Sequence, residues 1–394
     1  MKLFRHLSIF IRHKQSVAVG SAFLLLGIMF GSWATFIPYI KDKFQLDDGD
    51  LGLMLLFFPI GATLFNPVSA FVIKKFGMKS TTFWGMIAVS VVYVLPVNSP
   101  SVALVSTGLC LTGMAIAVLN VAMNTCTSVI EQNEGINTMS TSHGLFSVGL
   151  MSGSLIASLS YGQGFDPGMH MLVLAVMGVG LAFWARKAIF SIPQVERKKS
   201  EGPTQDDKEQ KPPGIGKEIF WMVVLSVCSN FTEGTMADWT AVYMKEIVQT
   251  NAYFIGWGLA AYSMCMALGR LMGDGMVPLL GARNVLLMGA GMVFFGLGLS
   301  ILFPTTVISI VGFALVGYGV SFSSPILYGS AARIPGYGNG KGLAILNSFG
   351  MIGFLVGPVI IGFLSRAYDL RLAFCLILLL ATIWGTLARN VKLY

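Results

Sequence analysis

The chain has 394 residues, 55% hydrophobic and 11% charged, whereas soluble domains average about 25% charged. That composition excludes a single soluble core. The net charge of +8 sits between apolar runs, with no basic stripe interleaved with exposed aromatics, so a nucleic-acid partner is excluded and the charge reads as topology.

Apolar runs of roughly twenty residues recur along the chain, each long enough to cross a hydrocarbon core of about 30 Å. They are longer than strands and lack period-two alternation, so they read as helices and not as a transmembrane barrel. Spans are predicted at 17–40, 50–73, 80–97, 102–130, 139–162 and 168–190, then at 218–244, 252–273, 284–303, 305–332, 340–364 and 371–389. Met1 to Gln15 is basic and mixed. The run after it is too long for a signal-peptide core and counts as the first span. Ser191 to Lys217 contains ERKKSEGPTQDDKEQKPPG, the composition of a flexible linker outside the membrane. The expected organisation is a six-helix bundle over 1–190, a linker over 191–217 and a second six-helix bundle over 218–394. The fold class is an all-α membrane protein with twelve transmembrane helices in two pseudo-symmetric bundles.

With the N-terminus in the cytoplasm, 21 of the 26 Lys and Arg fall on the cytoplasmic side. Lys41, Lys43, Lys245, Arg366 and Arg371 fall on the other. Both termini and the linker are therefore expected inside, in a bacterial inner membrane. Cys110, Cys126, Cys228, Cys265 and Cys375 all lie in apolar runs without ligand spacing, which implies neither disulfides nor metal. GYGNGKG (336–342) follows no strand and lacks a P-loop pattern, so no nucleotide cofactor and no enzymatic activity are expected.

The halves repeat. Gly77-Met78-Lys79 matches Gly281-Ala282-Arg283, and Ser147-Val148-Gly149 with Gly153 matches Ser348-Phe349-Gly350 with Gly357. The offset runs from about 200 to 204. Two parallel six-span repeats form a transporter plan in which a small-molecule substrate binds near the midplane.

FTEGTMADWTAVYMKE (231–246), MALGRLMGDGMVPLLGARNVL (266–286), GFLVGPVIIGFL (353–364) and MSTSHGLFSVG (139–149) resemble the major facilitator superfamily over essentially the whole chain. Within it they look like a bacterial branch related to fucose permeases. The resemblance implies that fold, a monomer, and a proton gradient as energy source. The sequence also departs from the pattern. Lys74 stands where the loop motif of the first half carries an acid. Asp274 lies seven residues before Gly281 instead of three. Asn120, before Val121-Ala122-Met123-Asn124, stands where fucose permeases carry a fourth-helix acid.

Ionisable groups inside spans are costly and by default functional. Glu233, Asp238 and His143 are the candidates for proton coupling. By the resemblance, the first and seventh helices line the cavity, and Trp33 takes the position matching Glu233. Asp238, about 140° around the helix from Glu233, is either part of an outer gate or an interface residue. His143 is either a proton gate or a helix-end His bonded to backbone. Glu131, Arg270 and Asp274 are read as gating residues, with Arg270 and Asp274 closing the eighth helix. Substrate candidates are Trp33, Asn120, Asn124, Asn230, Tyr262, Tyr328 and Asn347, which offer amides for hydroxyls and rings for stacking. Each is equally readable as a helix–helix contact. No Lys or Arg falls at the middle of a predicted span, so a neutral or cationic solute is favoured over an anion.

The expected function is proton-coupled symport of a small polar solute such as a sugar by alternating access. Proton-coupled efflux of drugs or metabolites is the alternative, weakly disfavoured because the fifth helix lacks a Gly-Pro motif. A transport-incompetent sensor on the same fold is the third reading.

Overall fold

The computed structural model describes residues 10–136, 138–193, 216–334, 337 and 341–393, with only the backbone of Asp274. Most of the linker and of GYGNGKG lies outside these residues.

Among the described residues, twelve long helices follow one another. We number them α1 Lys14–Lys43, α2 Asp48–Phe76, α3 Met78–Asn98, α4 Val102–Glu134, α5 Met139–Gly162 and α6 Pro167–Phe190, then α7 Lys217–Glu246, α8 Trp257–Leu280, α9 Ala282–Leu302, α10 Thr306–Ala332, α11 Lys341–Ala367 and α12 Leu370–Asn390. Three carry a break, α2 at Leu56, α3 at Tyr93 and α10 at Ser321 and Phe322. Eleven of the helices are long and apolar enough to cross a membrane. The other, α7, is diluted by Glu233, Asp238 and charged ends.

Local signals fix the helix ends. Asp166 and Asp369 cap α6 and α12 by accepting from Met169 N–H and Leu372 N–H, which satisfies a donor that an initial turn leaves orphaned. Gly77 and Gly281 end α2 and α8 at φ 81° and 82°, a conformation that costs a side-chain-bearing residue energy.

Within each half the helices pack in the same order. α1 runs along α5 as α7 runs along α11, and α2 along α4 as α8 along α10. Outward faces such as Val176, Met177, Trp184, Phe295 and Leu379 remain exposed and apolar, the surface a helix presents to hydrocarbon. The chain is a multi-pass membrane protein.

The contacts sharpen the repeat. Gly113 meets the carbonyl of Phe58 as Gly317 meets that of Tyr262, so residues of α2 to α5 lie 204 positions before their counterparts. α1 and α7 are related by 203 positions, as their bounds show. Gly149 therefore matches Gly353, not Gly350, and Gly153 matches Gly357. The counterpart of Glu233 is Phe30, while Trp33 matches Met236.

Asn230 occupies the place of Gly27. Gly27 lies against the carbonyl of Phe146, and the Asn230 amide donates to the corresponding carbonyl of Gly350 at 2.9 Å. Asn230 is buried and ties α7 to α11. Asn230→Ala should lower stability by about 1 kcal/mol without abolishing solute exchange, as read by thermal unfolding and reconstituted flux.

Candidate functional site

The site lies between the halves, and its shape follows from where they touch. We call the end with the start of α1 and the end of α12 the terminal end, and the opposite one the far end. Between described residues, every hydrogen bond and ion pair joining the halves falls at or near the far end. Lys41 of α1 lies 2.5 Å from both Asp48 of α2 and Glu246 of α7. Lys245 pairs with Asp42, Arg366 reaches Asp47 at 3.3 Å, and the Ser365 hydroxyl bonds Asp48.

Two helix crossings underlie these bridges. Gly52 of α2 faces the carbonyl of Pro358 in α11, and Gly256, just before α8, faces the carbonyl of Ser154 in α5. These contacts are repeat counterparts. A Cβ on Gly52 would meet Pro358 O at 2.6 Å, and one on Gly256 would meet Ser154 O at 2.4 Å, so backbone can close on backbone only because both residues are glycine. Ser158 adds bonds to the carbonyls of Ala252 and Tyr253. The far end is shut, and polar side chains deeper in the bundle face an opening toward the terminal end.

Three polar pairs lie on the terminal side of that closure, each with side chains left partly exposed. In the first half, a nitrogen of His143 (α5) lies 3.1 Å from Asn124 Oδ1 (α4), and the Asn124 amide also donates to Asn120. In the second half, the Tyr328 hydroxyl (α10) donates to Asn347 Oδ1 (α11) at 3.3 Å. Asn124 and Tyr328, like His143 and Asn347, are counterparts 204 positions apart, so one hydrogen bond is repeated with different chemistry in each half. The third pair has no such twin. The Arg270 guanidinium (α8) lies 3.4 Å from Glu233 Oε1 (α7), with the two side chains 32% and 24% exposed.

This pair corrects the sequence reading. α8 does not close at Arg270 and Asp274 but continues through Pro278 to Leu280. Arg270 therefore sits mid-span, and the argument against an anionic solute loses its premise. A cavity of about 280 Å³ reaches Arg270 from the terminal end, lined by Gly273, Val277, Phe322, Pro325 and Arg333 among others.

Other candidates fall elsewhere. Trp33 is buried in the core, 2% exposed, and presents no ring to the opening in this state. Tyr262 is likewise buried, with its hydroxyl unpartnered among the described residues. Glu131 accepts the N–H groups of Thr138 and Met139 at 2.6 and 2.8 Å; it caps the start of α5 and reaches neither His143 nor Arg270. The side chain of Asp274 lies outside the described residues. Asp238 lies toward the far end from Glu233 by about 7 Å of helix rise, has no hydrogen bond among the described residues, and is in Coulombic reach of Tyr93 on α3.

Sequence reasoning missed the far-end cluster, because its lysines and arginines served only as topology markers. The acids beside them, Asp42, Asp47, Asp48 and Glu246, were the available signal. It also missed His170, which bridges Ser160 at 2.9 Å and Ser32 at 3.2 Å and joins α6 to α5 and α1.

A model of the Major Facilitator Superfamily matches residues 19–247 and 219–391. An uncharacterized MFS-type transporter of Yersinia pestis is 30% identical over 372 residues, 94% of each chain. The membrane protein MosC of Rhizobium meliloti is 25% identical, covering 93% of this chain and 87% of its own. Among solved structures, the nucleoside transporter NupG aligns with a TM-score of 0.74 at 12% identity, over 96% of this chain and 98% of its own. A D-xylose-proton symporter aligns with 0.74 at 13%, over 98% and 100%. The fucose transporter FucP in its outward conformation aligns with 0.62 at 15%, over 96% and 99%.

The far-end bridges can be tested directly. Neutralising both partners of Lys41, with Asp48→Asn and Glu246→Gln, should leave its charge without an acid and favour separation of the halves there. Spin labels at the exposed residues Asp50 and Tyr368 should report a longer distance, with a population shift on the order of fivefold. An unchanged distribution would remove these bridges from the gate.

Proposed function

Because the chain belongs to the major facilitator superfamily, we propose that it is a secondary active transporter that carries a small polar solute by alternating access, coupled to protons through Glu233. Membership makes it a membrane transporter of a small molecule. The solute, the coupling and the orientation are the proposal.

The observation that carries the reading is the one-sided opening. The halves meet at the far end through Gly52, Gly256 and the Lys41 bridges. Hydrogen-bonding groups from α4, α5, α7, α8, α10 and α11 converge below that closure. Amides, a phenol and an imidazole are groups that hold hydroxyls, and the structural neighbours named for a nucleoside and for D-xylose move hydroxylated solutes. Rocking about the far-end crossings would open the other side while the site stays near the midplane.

We place both termini in the cytoplasm of a bacterial cell, with the chain in the inner membrane. With the termini inside, the far end faces out, and Lys and Arg still crowd the cytoplasmic side after Arg270 is moved to mid-span. The structure then represents the inward-open state. Glu233 is the acid at the core of the opening, and a carboxylate there can exchange a proton with the cytoplasm only while the opening persists.

Proteoliposomes with an imposed pH gradient test this. Solute added on the more acidic side should accumulate and carry protons with it. Glu233→Gln should lose gradient-driven accumulation while retaining solute exchange. Proton movement opposite to the solute would assign export instead, and driven accumulation by Glu233→Gln at every pH would remove Glu233 from coupling.

A further inference from the structure

The repeat supplies its own control for the Glu233–Arg270 pair. The counterpart of Glu233 is Phe30, and that of Arg270 is Asn66. The counterpart of Tyr262, which lies near the pair, is Phe58. In the first half the rings of Phe30 and Phe58 pack at a tilt of 43°, with centroids 5.8 Å apart. The place of the Glu233–Arg270 pair is thus taken in the first half by Phe30, packed on Phe58, and by Asn66, none of them charged. The architecture does not require charge at this place. A mid-span ion pair is expensive to desolvate, and apolar packing often replaces one at no loss of stability. Its presence in the half whose twin does without it marks a function.

Arg270 is also poorly used. A guanidinium carries five N–H donors. Among the described residues its side chain meets one acceptor, Glu233, at 3.4 Å, longer than the 2.7–2.9 Å of a good charge-assisted bond. Glu233 in turn has no other hydrogen-bond partner among the described residues. Both groups are partly exposed, and the cavity of about 280 Å³ reaches Arg270. A loosely held cation with spare donors, facing an opening, is built to accept a second oxyanion.

We propose that the transported solute carries a carboxylate, which docks on Arg270 in place of Glu233 while Glu233 takes up the co-transported proton. This deepens the transporter reading above and rests on it.

Charge balance follows at each stage. The empty carrier holds Arg270 as a cation and Glu233 as an anion, so the pair at mid-span is neutral. A solute carboxylate arriving at Arg270 would make it negative. Protonation of Glu233 restores neutrality, and one proton moves with one carboxylate. Both the empty and the loaded carrier can then rock without an unpaired charge at mid-membrane, whereas a carrier with solute but no proton cannot. The geometry enforces coupling with no second ion.

Among the described residues the charged and titratable groups near the pair are few, and Arg333, just past the end of α10, lines the same cavity toward the terminal end. Tyr262 of α8 and Tyr328 of α10 lie within Coulombic reach of Glu233, and His143 of α5 within reach of Arg270. The charged residues of α1, α11 and α12 sit at their helix ends. The remaining pairs, Tyr328 with Asn347 and His143 with Asn124, would hold hydroxyls, so the solute class is a small hydroxylated acid.

The experiment compares matched solutes on the purified full chain in nanodiscs. Gluconate, glucuronate and glycerate are set against sorbitol, glucose and glycerol, with thermal unfolding as the readout of binding. At least one acid should raise the midpoint at pH 6, and more weakly at pH 8, while its neutral partner does not. Arg270→Gln should weaken that acid at least tenfold. Glu233→Gln, with its competing charge removed, should bind it as well as or better than the parent, with the pH dependence gone. In proteoliposomes, uptake of that acid should follow the pH gradient and ignore an imposed membrane potential.

Stabilisation by the neutral partners to the same extent as the acids, or by no acid at all, would overturn the proposal. So would an Arg270→Gln chain that keeps its acid affinity within twofold; Arg270→Lys, which keeps the charge, guards against simple misfolding. Each of those results leaves the transporter reading standing. Acid binding that depends on Arg270 but gives no exchange in proteoliposomes would overturn transport instead.

Discussion

Helices in a bilayer gain little by hiding apolar surface from one another, since lipid is as apolar as they are, so they associate through close packing and hydrogen bonds. In this chain the halves meet where glycine lies on a carbonyl. Gly52 against Pro358 and Gly256 against Ser154 bring four helices together at one end, and the ion pairs of Lys41, Lys245 and Arg366 surround those crossings. Everything else about the site follows from that closure. Because backbone meets backbone at the far end, the same helices diverge toward the terminal end, and the polar groups of α4, α5, α10 and α11 are left facing a gap.

The two crossings are copies of one another, and so is the hydrogen bond between the fourth and fifth helices of each half. Side-chain chemistry has diverged on a conserved backbone plan. His143 with Asn124 became Asn347 with Tyr328, Gly27 became Asn230, and Phe30 with Phe58 became Glu233 with Tyr262. The first two exchanges keep a polar contact or satisfy a carbonyl. The third alone adds charge, together with Arg270 in place of Asn66, and so the chemistry of the carrier is concentrated in its second half.

Much of the fold was legible in sequence. Twelve apolar runs, a charged linker and paired Gly-containing loops mark two six-helix halves, because the bilayer imposes length and composition on every span. The approximate repeat was visible as well, but its register was not. Sequence matching placed Trp33 opposite Glu233, and only helix contacts correct the offset to 203 and show Phe30 there. The largest misreading concerned α8. Asp274 and the glycines around it look like a helix end, so Arg270 was taken for a boundary residue. In the structure the helix runs on to Leu280, since a helix shielded by its neighbours tolerates Gly and Pro that would end an isolated one. Asn230 carried two readings in sequence, solute contact and helix–helix contact, and its bond to Gly350 takes the second. A buried amide in a span looks the same in sequence whether it faces solute or a neighbouring carbonyl.

Moving Arg270 from the edge to the centre changes the kind of carrier the sequence describes. A cavity with one acid and no base would be charged when empty unless protonated, and its empty return would carry the proton back. A cavity with Glu233 and Arg270 is neutral when empty and can return unloaded. On the proposal above, the proton is then needed only when something displaces Glu233 from Arg270. A neutral sugar can bond to both groups without separating their charges and gives no such displacement. An oxyanion does. On the same proposal, the base beside the acid ties coupling to the charge of the solute, and it does so through one long ion pair whose counterparts in the first half, Phe30 and Asn66, carry no charge.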